Sequence, residues 1–353
     1  MSLRALDLFS GIGGITYGLR GIVTPIAYVE KNKKAREFLK QKHPDTPVFE
    51  DVCAFDATEW KGQVDIITAG WPCTGFSVAG KGAGFAHEAS GLFTEIIRIV
   101  KECEPGYLFL ENSCIVGQVK NVNVIVDSFD ALGYDCRWFT CRATNVGALH
   151  ERHRWFCLVS KRGGYKTNLP EIPNHENFDW SSGEPTRQVE TNTHENKLIL
   201  AWLGNAVVPD QIRFAFTILK DLDITQDTRT YVYSEKTNIG FSTNGKTLGK
   251  RVKFDARSPI NIELTQEIPP VVHKATTPHI PKIIKKYWAT PVFSNVPSGS
   301  NILTNRCAKA LGTQLRYSPG GENKYVNSNW VRWLMGYPDG YFTQACTLHE
   351  TQL

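Results

Sequence analysis

Asp7-Leu8-Phe9-Ser10-Gly11-Ile12-Gly13-Gly14 is the stretch from which the fold can be read. It closes a short apolar run, Arg4–Phe9, and opens a helical pattern. Glycines at a strand-to-helix turn let backbone approach a ligand closely, and the helix start offers free N–H groups. Further strand-like runs follow at Ile26–Glu30, Val64–Ala69, Tyr107–Leu110, Trp138–Cys141 and Trp155–Ser160. Between them, Asn32 is placed to cap KKAREFLKQKH, and LFTEIIRIVKEC carries apolar residues at 92, 93, 96, 97, 99 and 100. Strand–helix alternation of this kind predicts an α/β fold, a mostly parallel sheet with helices on both faces. Ligands of such folds sit beyond the C-terminal ends of the strands.

The bulk properties bound the rest. The chain has 353 residues, 41% hydrophobic and 21% charged, enough for a packed core and for one large domain or two ordinary ones. No apolar run approaches the roughly 18 residues of a membrane span. The start, MSLRALDLFSG, lacks a signal-peptide layout. These features lead us to expect a cytoplasmic protein that does not cross a membrane. The nine cysteines include no CxxC pair, which argues against a disulfide framework and against a structural zinc site, so no metal is expected.

Charge is unevenly spread. Residues 1–221 carry 24 Lys and Arg against 26 Asp and Glu, whereas residues 222–353 carry 16 against 9. The basic C-terminal part is suited to a polyanion, although an ordinary solvated surface accounts for charge alone equally well. Residues 161–196, rich in Asn, Glu, Thr and Pro, read as a loop or poorly packed excursion. LILAWLGNAVVPDQIRFAFTILKDL then resumes with an apolar helix after Pro209, and from about 222 the texture changes to Thr, Asn, Lys and Gly with short strand-like pieces. Two domains are therefore expected, 1–221 and 222–353, the second smaller and strand-rich.

Several residues at predicted strand ends carry chemistry. Glu30 ends the second strand 19 residues after Gly11, where a carboxylate can accept bonds from ribose hydroxyls. Asp51, after a further short strand expected ahead of Val64–Ala69, is placed to meet an adenine edge. By itself the glycine turn fits NAD, FAD or S-adenosylmethionine enzymes alike. Gly70-Trp71-Pro72-Cys73 follows VDIITA, so Cys73 leaves a strand end, and the following TGFSVAGKGAGFAHEASG has five glycines, in the manner of a closing loop. A thiolate is a good carbon nucleophile. Glu111-Asn112 ends YLFL on the same sheet edge. His150-x-Arg152-x-Arg154 precedes WFCLVS, and strand alternation puts both arginines on one face, where guanidinium forks can hold a carbonyl oxygen or phosphate.

In order and together, these residues resemble the DNA cytosine-5 methyltransferase family. The matching pieces are DLFSGIGG at 7–14, Glu30, Asp51, Pro72-Cys73, LFTEIIRIVKECEPGYLFLEN at 92–112, HERHR at 150–154 and GNAVVP at 204–209. YWATP at 287–291 and QLRYSPGG…NSNWVRWLMGYPDGY at 314–341 resemble a further block of many phage and bacterial members. The resemblance implies a Rossmann-like, S-adenosylmethionine-dependent catalytic domain with an appended target-recognition domain. It implies that Cys73 adds to C6 of a cytosine flipped out of double-stranded DNA. Glu111 would bond N3 and the exocyclic amine, Arg154 the O2, and Arg152 would order Cys73 and its loop. Phe9, Gly11, Gly13, Glu30, Asp51, Pro72, Leu92 and Asn205 would line the methyl-donor pocket. A monomer is the family default.

The sequence departs from the family pattern at Thr74 and His150, where Gln is usual, and at Ser113, where Val is usual. Motif order also differs, because Gly204-Asn205 precedes the recognition-like block instead of following it. Basic clusters at Lys246, Lys250, Arg251, Lys253 and Arg257, and at Lys282, Lys285 and Lys286, are the expected phosphate contacts. The apolar residues of NWVRWLMGYP read as packing core more than as a DNA-facing surface. An RNA-methylating relative and a catalytically silent DNA binder are the alternatives. The basic C-terminal region and the missing Cys-Phe-Thr tripeptide count against the first, and retention of Cys73, Glu111, Arg152 and Arg154 against the second.

Overall fold

Leu3–Leu8 is buried on both sides of the chain, as a central parallel strand must be. It forms β1 of a computed structural model that describes residues 1–72, 92–164, 168–221, 240–242 and 325–343, with backbone alone at 119–120 and 240–242. β1 pairs in parallel with β2 (Val23–Val29) on one side and β4 (Ile66–Ala69) on the other. β3 (Val48–Phe49) continues beyond β2, and β5 (Tyr107–Ser113) beyond β4, again in parallel. Strand order begins β3-β2-β1-β4-β5, so the direction of winding reverses between β1 and β4. A crevice opens at that switch point, beyond the strands' C-terminal ends.

The last three strands run antiparallel: β6 (Tyr134–Cys141), β7 (Arg154–Lys161) and β9 (Gly240–Ser242). Their direction matters for function. Because β7 lies antiparallel beside β5, its first residue, Arg154, pairs with Ser113 at the C-terminal end of β5. A parallel β7 would have carried Arg154 to the opposite edge.

Alternate strand residues feed two cores. Leu6, Leu8, Ile67, Ala69, Leu108 and Leu110 meet α3 (Leu92–Cys103) and α4 (Val119–Asp130). Leu3, Ala5, Ile66 and Phe109 meet α1 (Gly14–Gly18) and α6 (Pro209–Asp221) on the other face. The expected helix after Asn32 is α2 (Lys33–Lys42), and the Asn32 side chain accepts from the Ala35 N–H at 3.0 Å. Such a cap satisfies one of the four unpaired donors at a helix start.

A third cluster lies beyond the strand ends. α5 (His194–Asn205) and α7 (Ser328–Leu334) pack there with Ile12, Phe38 and Trp180. Residues 330–337 of NWVRWLMGYP are buried, as expected of a packing core, and the core they join is the one built on the glycine turn and α2. The excursion at 161–196 is also better packed than its composition suggests. Trp180 Nε1 donates to the Leu334 carbonyl at 3.2 Å, Trp333 Nε1 to the Ser182 carbonyl at 2.9 Å, and Trp330 Nε1 to Glu184 Oε1 at 2.9 Å. β8 (Gln188–Val189) pairs antiparallel with β10 (Tyr325–Val326) and fastens the two segments together. Among the described residues, no helix is long and apolar enough to cross a membrane.

Candidate active site

The turn after β1 holds three residues in the left-handed region, Phe9, Gly11 and Gly13, at φ 56°, 54° and 74°. Two of the three are glycine, for which that conformation carries no Cβ penalty, and the third is the strained one. Ser10 ties the turn to β2: its hydroxyl donates to the Asp7 carbonyl at 2.7 Å and accepts from the Val29 N–H at 3.2 Å. Glu30 holds it from the end of β2. One carboxylate oxygen accepts the Gly11 N–H at 2.7 Å, the other the Asn32 N–H at 2.7 Å. Space over Gly11 is open, with nothing within 4 Å of where a Cβ would stand. Beneath the turn, burial pushes the Asp7 carboxyl up to about 7, against the opposing hydrogen bond from Thr68 Oγ1 at 2.6 Å.

Asp51 follows β3. Its carboxyl accepts the Cys53 N–H at 3.0 Å and lies 3.4 Å from Lys31 Nζ, and the Cys53 hydrogen bond is the main cause holding it below the ordinary aspartate range. The loop carrying it is held by Arg98 of α3. That guanidinium donates to the Val52 and Phe55 carbonyls at 2.8 and 3.0 Å and is itself paired with Glu95 and Glu102 at 2.7 Å. Leu92 heads the same helix, half-buried against the core. Asn205 is exposed at the last position of α5. The chain after it returns beside the turn, with Val207 Cγ2 only 2.8 Å from where a Gly14 Cβ would stand.

The second half of the site lies beyond β4, at the ends of β5 and β7. Glu111 is 9% exposed near the end of β5, and its Oε1 is 3.1 Å from Arg154 Nε. The backbone of Gly70, just past β4, passes directly beneath: a Cβ there would stand 3.2 Å from Glu111 Oε2. Asn112 points the other way and donates through Nδ2 to the Trp71 carbonyl at 3.0 Å. It thereby links the end of β5 to the chain entering Pro72, which is exposed. Cys73 lies outside the described residues.

Arg152 and Arg154 serve different partners. Arg154 faces Glu111, whereas Arg152 is buried and donates to the Ala206 carbonyl in the joint between α5 and α6. Gln211 of α6 locks the same stretch by donating to the carbonyls of Cys141 and Arg152 at 3.0 and 2.9 Å. His150 is fully buried, and desolvation pushes its imidazole down to about 3. Sequence reasoning missed Asn112, Arg98 and Gln211 as supports. Only Asn112 left a signal, as the neighbour of Glu111.

A glycine turn at the switch point, a carboxylate ending the next strand, and a largely buried Glu–Arg pair beside the chain that enters Pro72 mark the candidate site of an α/β enzyme. The chain belongs to the C-5 cytosine-specific DNA methylase family, whose sequence profile matches residues 3–341. It is similar to Type II methyltransferase M.CviJI of Paramecium bursaria Chlorella virus IL3A, with 40% identity over 97% of this chain and 98% of that protein. It is also similar to Type II methyltransferase M.BsuFI of Bacillus subtilis, with 30% identity over 54% of this chain and 45% of that protein.

Proposed function

We propose that this protein is a sequence-specific methyltransferase that places a methyl group from S-adenosylmethionine on C5 of cytosine in duplex DNA. The observation that carries the reading is the largely buried Glu111–Arg154 pair, set two strands from the glycine turn and beside the chain entering Pro72-Cys73. Both relatives named above are type II methyltransferases, which supports a modification enzyme of the restriction–modification kind.

The residues present fit a nucleoside donor. The open backbone at Gly11, the Glu30 carboxylate at the end of β2 and Asp51 at the end of β3 are suited to ribose and adenine, with Phe9, Gly13, Pro72, Leu92 and Asn205 completing the pocket. When bound, S-adenosylmethionine supplies an electrophilic methyl carbon. The protein's work is to make C5 nucleophilic. Cytosine is extruded from the duplex so that its ring can be reached. The Cys73 thiolate forms a bond to C6, and the displaced electron pair makes C5 an enamine carbon. Glu111 holds N3 and the exocyclic amine, Arg154 holds O2, and Arg152 orders the chain that carries Cys73. As C5 takes the methyl carbon, the sulfonium–carbon bond would break with its pair staying on the departing S-adenosylhomocysteine; loss of the C5 proton to solvent and departure of the Cys73 sulfur from C6 then restore the aromatic ring and the thiolate.

Residues 1–221 form the catalytic and donor-binding part in this reading, and residues 222–353 recognise DNA, with the 325–343 segment folding back onto the first part. The excess of basic residues in 222–353 supports that division.

The test is methyl transfer from labelled S-adenosylmethionine to mixed-sequence duplex DNA, comparing wild type with Cys73→Ala. Label recovered as 5-methylcytosine from wild type alone is the expected result, and mapping the sites yields the target sequence. Label in structured RNA but not in duplex DNA would overturn the substrate. DNA binding without transfer to either would reduce the protein to a silent relative.

A further inference from the structure

The glycine turn is held from two sides, and only one of them is the sheet. Glu30 accepts the Gly11 N–H at 2.7 Å from the end of β2. From the other side the Tyr341 hydroxyl donates to the Ile12 carbonyl at 3.0 Å, across 329 residues of chain. Ile12 lies between Gly11 and Gly13, both at positive φ, so the peptide that Tyr341 grips has glycine freedom on either flank.

Tyr341 is itself tightly placed. Its ring packs on Tyr337 at 4.6 Å, edge-on to Tyr17 at 4.9 Å and to Phe342 at 5.1 Å between centroids. Lys42 of α2 caps the remaining face, with Nζ 2.8 Å from the ring centroid, and donates to the Tyr341 carbonyl at 3.3 Å. Burial pushes the phenol well above its ordinary range, so the hydroxyl keeps the proton it donates. An aromatic residue fixed on all sides is a good anchor, since little rotamer freedom is lost in making the bond.

We infer that Tyr341 is a positioning residue for methyl-donor binding: its hydroxyl fixes the Ile12 peptide, and with Glu30 it holds the glycine turn in the shape the donor meets. This rests on the reading of that turn as the donor pocket. The physical consequence is a population effect. A turn that samples other shapes binds more weakly in proportion to the time it spends in the competent one. Losing one neutral hydrogen bond corresponds to about a three- to tenfold change.

The experiment measures binding of S-adenosylhomocysteine by calorimetry, without DNA, in the full chain. Four proteins are compared: wild type, Tyr341→Phe, Glu30→Ala and Trp333→Phe. Tyr341→Phe keeps every ring contact and removes only the donor. Trp333→Phe removes a buried bond of the same segment that goes to the Ser182 carbonyl, away from the turn. The expected result is a Kd raised three- to tenfold in Tyr341→Phe, raised in Glu30→Ala and unchanged in Trp333→Phe. In turnover, Tyr341→Phe raises the donor KM with kcat at saturating donor and the DNA KM retained. A Kd unchanged in Tyr341→Phe but raised in Glu30→Ala overturns the positioning role alone. An equal rise in Trp333→Phe overturns it too, since the effect is then general loosening of the segment. Donor binding unaffected by Glu30→Ala would instead bring down the pocket assignment beneath it.

Discussion

Arg154 and Glu111 form an ion pair at 3.1 Å, with side chains only 21% and 11% exposed, between the first residue of β7 and the end of β5. In the proposed reaction both groups face the cytosine, so in the free protein they neutralise each other where the base will lie. Removing one partner leaves the other poorly solvated. Glu111→Gln and Arg154→Ala are each expected to lower kcat about 10²–10³-fold, the scale of losing one preorganised polar contact to a reacting centre. A double-mutant cycle on unfolding free energy should give a coupling of about 1–3 kcal/mol. Additive effects on both stability and rate would mean that the two side chains act independently.

Gly70 bears on the same carboxylate. A Cβ at 3.2 Å from Glu111 Oε2 and 3.4 Å from Ile15 Cδ1 fits only if Glu111 yields by a few tenths of an ångström. Gly70→Ala should therefore leave the fold intact and reduce kcat about tenfold, equivalent to ~1.4 kcal/mol at the transition state. The comparison to make is single-turnover methyl transfer alongside thermal unfolding. A variant as fast as wild type would show that Glu111 does not need its present position.

Arg98 supports the donor side without touching the turn. It bridges α3 to the carbonyls of Val52 and Phe55 in the loop that carries Asp51, and Glu102 accepts the Ala57 N–H at 3.0 Å on the same loop. Arg98→Ala leaves two backbone carbonyls unpaired and is expected to cost about 1–3 kcal/mol of stability. The donor KM should rise while the DNA KM stays level, because in the proposed reading the loop serves the donor and not the DNA. A parallel rise in both constants would argue for a general loosening instead.

Glu30, Glu111 and the glycine turn were legible in the sequence because each stands where an apolar run gives way to a residue that does not belong in a core. Asp51 follows the two-residue β3, which no apolar run marks, and the parallel half of the sheet brings all of them to one edge. The antiparallel half was not legible from alternation alone. Only residues 142–153 separate β6 from β7, at the lower limit for a parallel crossover, and this reverses β7 and delivers Arg154 to Glu111. Contacts that join distant segments left no periodic trace. The Asn112 bond to Trp71 depends on β4 lying beside β5, and the Arg152 bond to Ala206 depends on the joint between α5 and α6. Trp180 in the excursion and Tyr341 near the C-terminus belong to the same kind: single aromatics whose partners are chosen by the assembled fold.

His150 gives the fold a pH dependence that the Gln usual in the resembling family would not. Burial pushes its imidazole from 6.5 down to about 3, and the charges of Arg152 and Arg154 act in the same direction. The folded pKa lies below the unfolded one. The contribution of a neutral His150 is thus fully present above about pH 6.5 and is lost as pH falls from there toward about 3. Asp7, raised to about 7, has the opposite sign over part of that range, but it is common to wild type and variant and cancels in their difference. Relative to His150→Gln, wild type should lose about 2 kcal/mol of unfolding free energy between pH 7 and pH 5. Urea unfolding at the two pH values measures this, with methyl transfer at neutral pH retained in the variant. If the two proteins lose stability in parallel as the pH falls, His150 is not the group that must be protonated, and the acid sensitivity belongs elsewhere in the core.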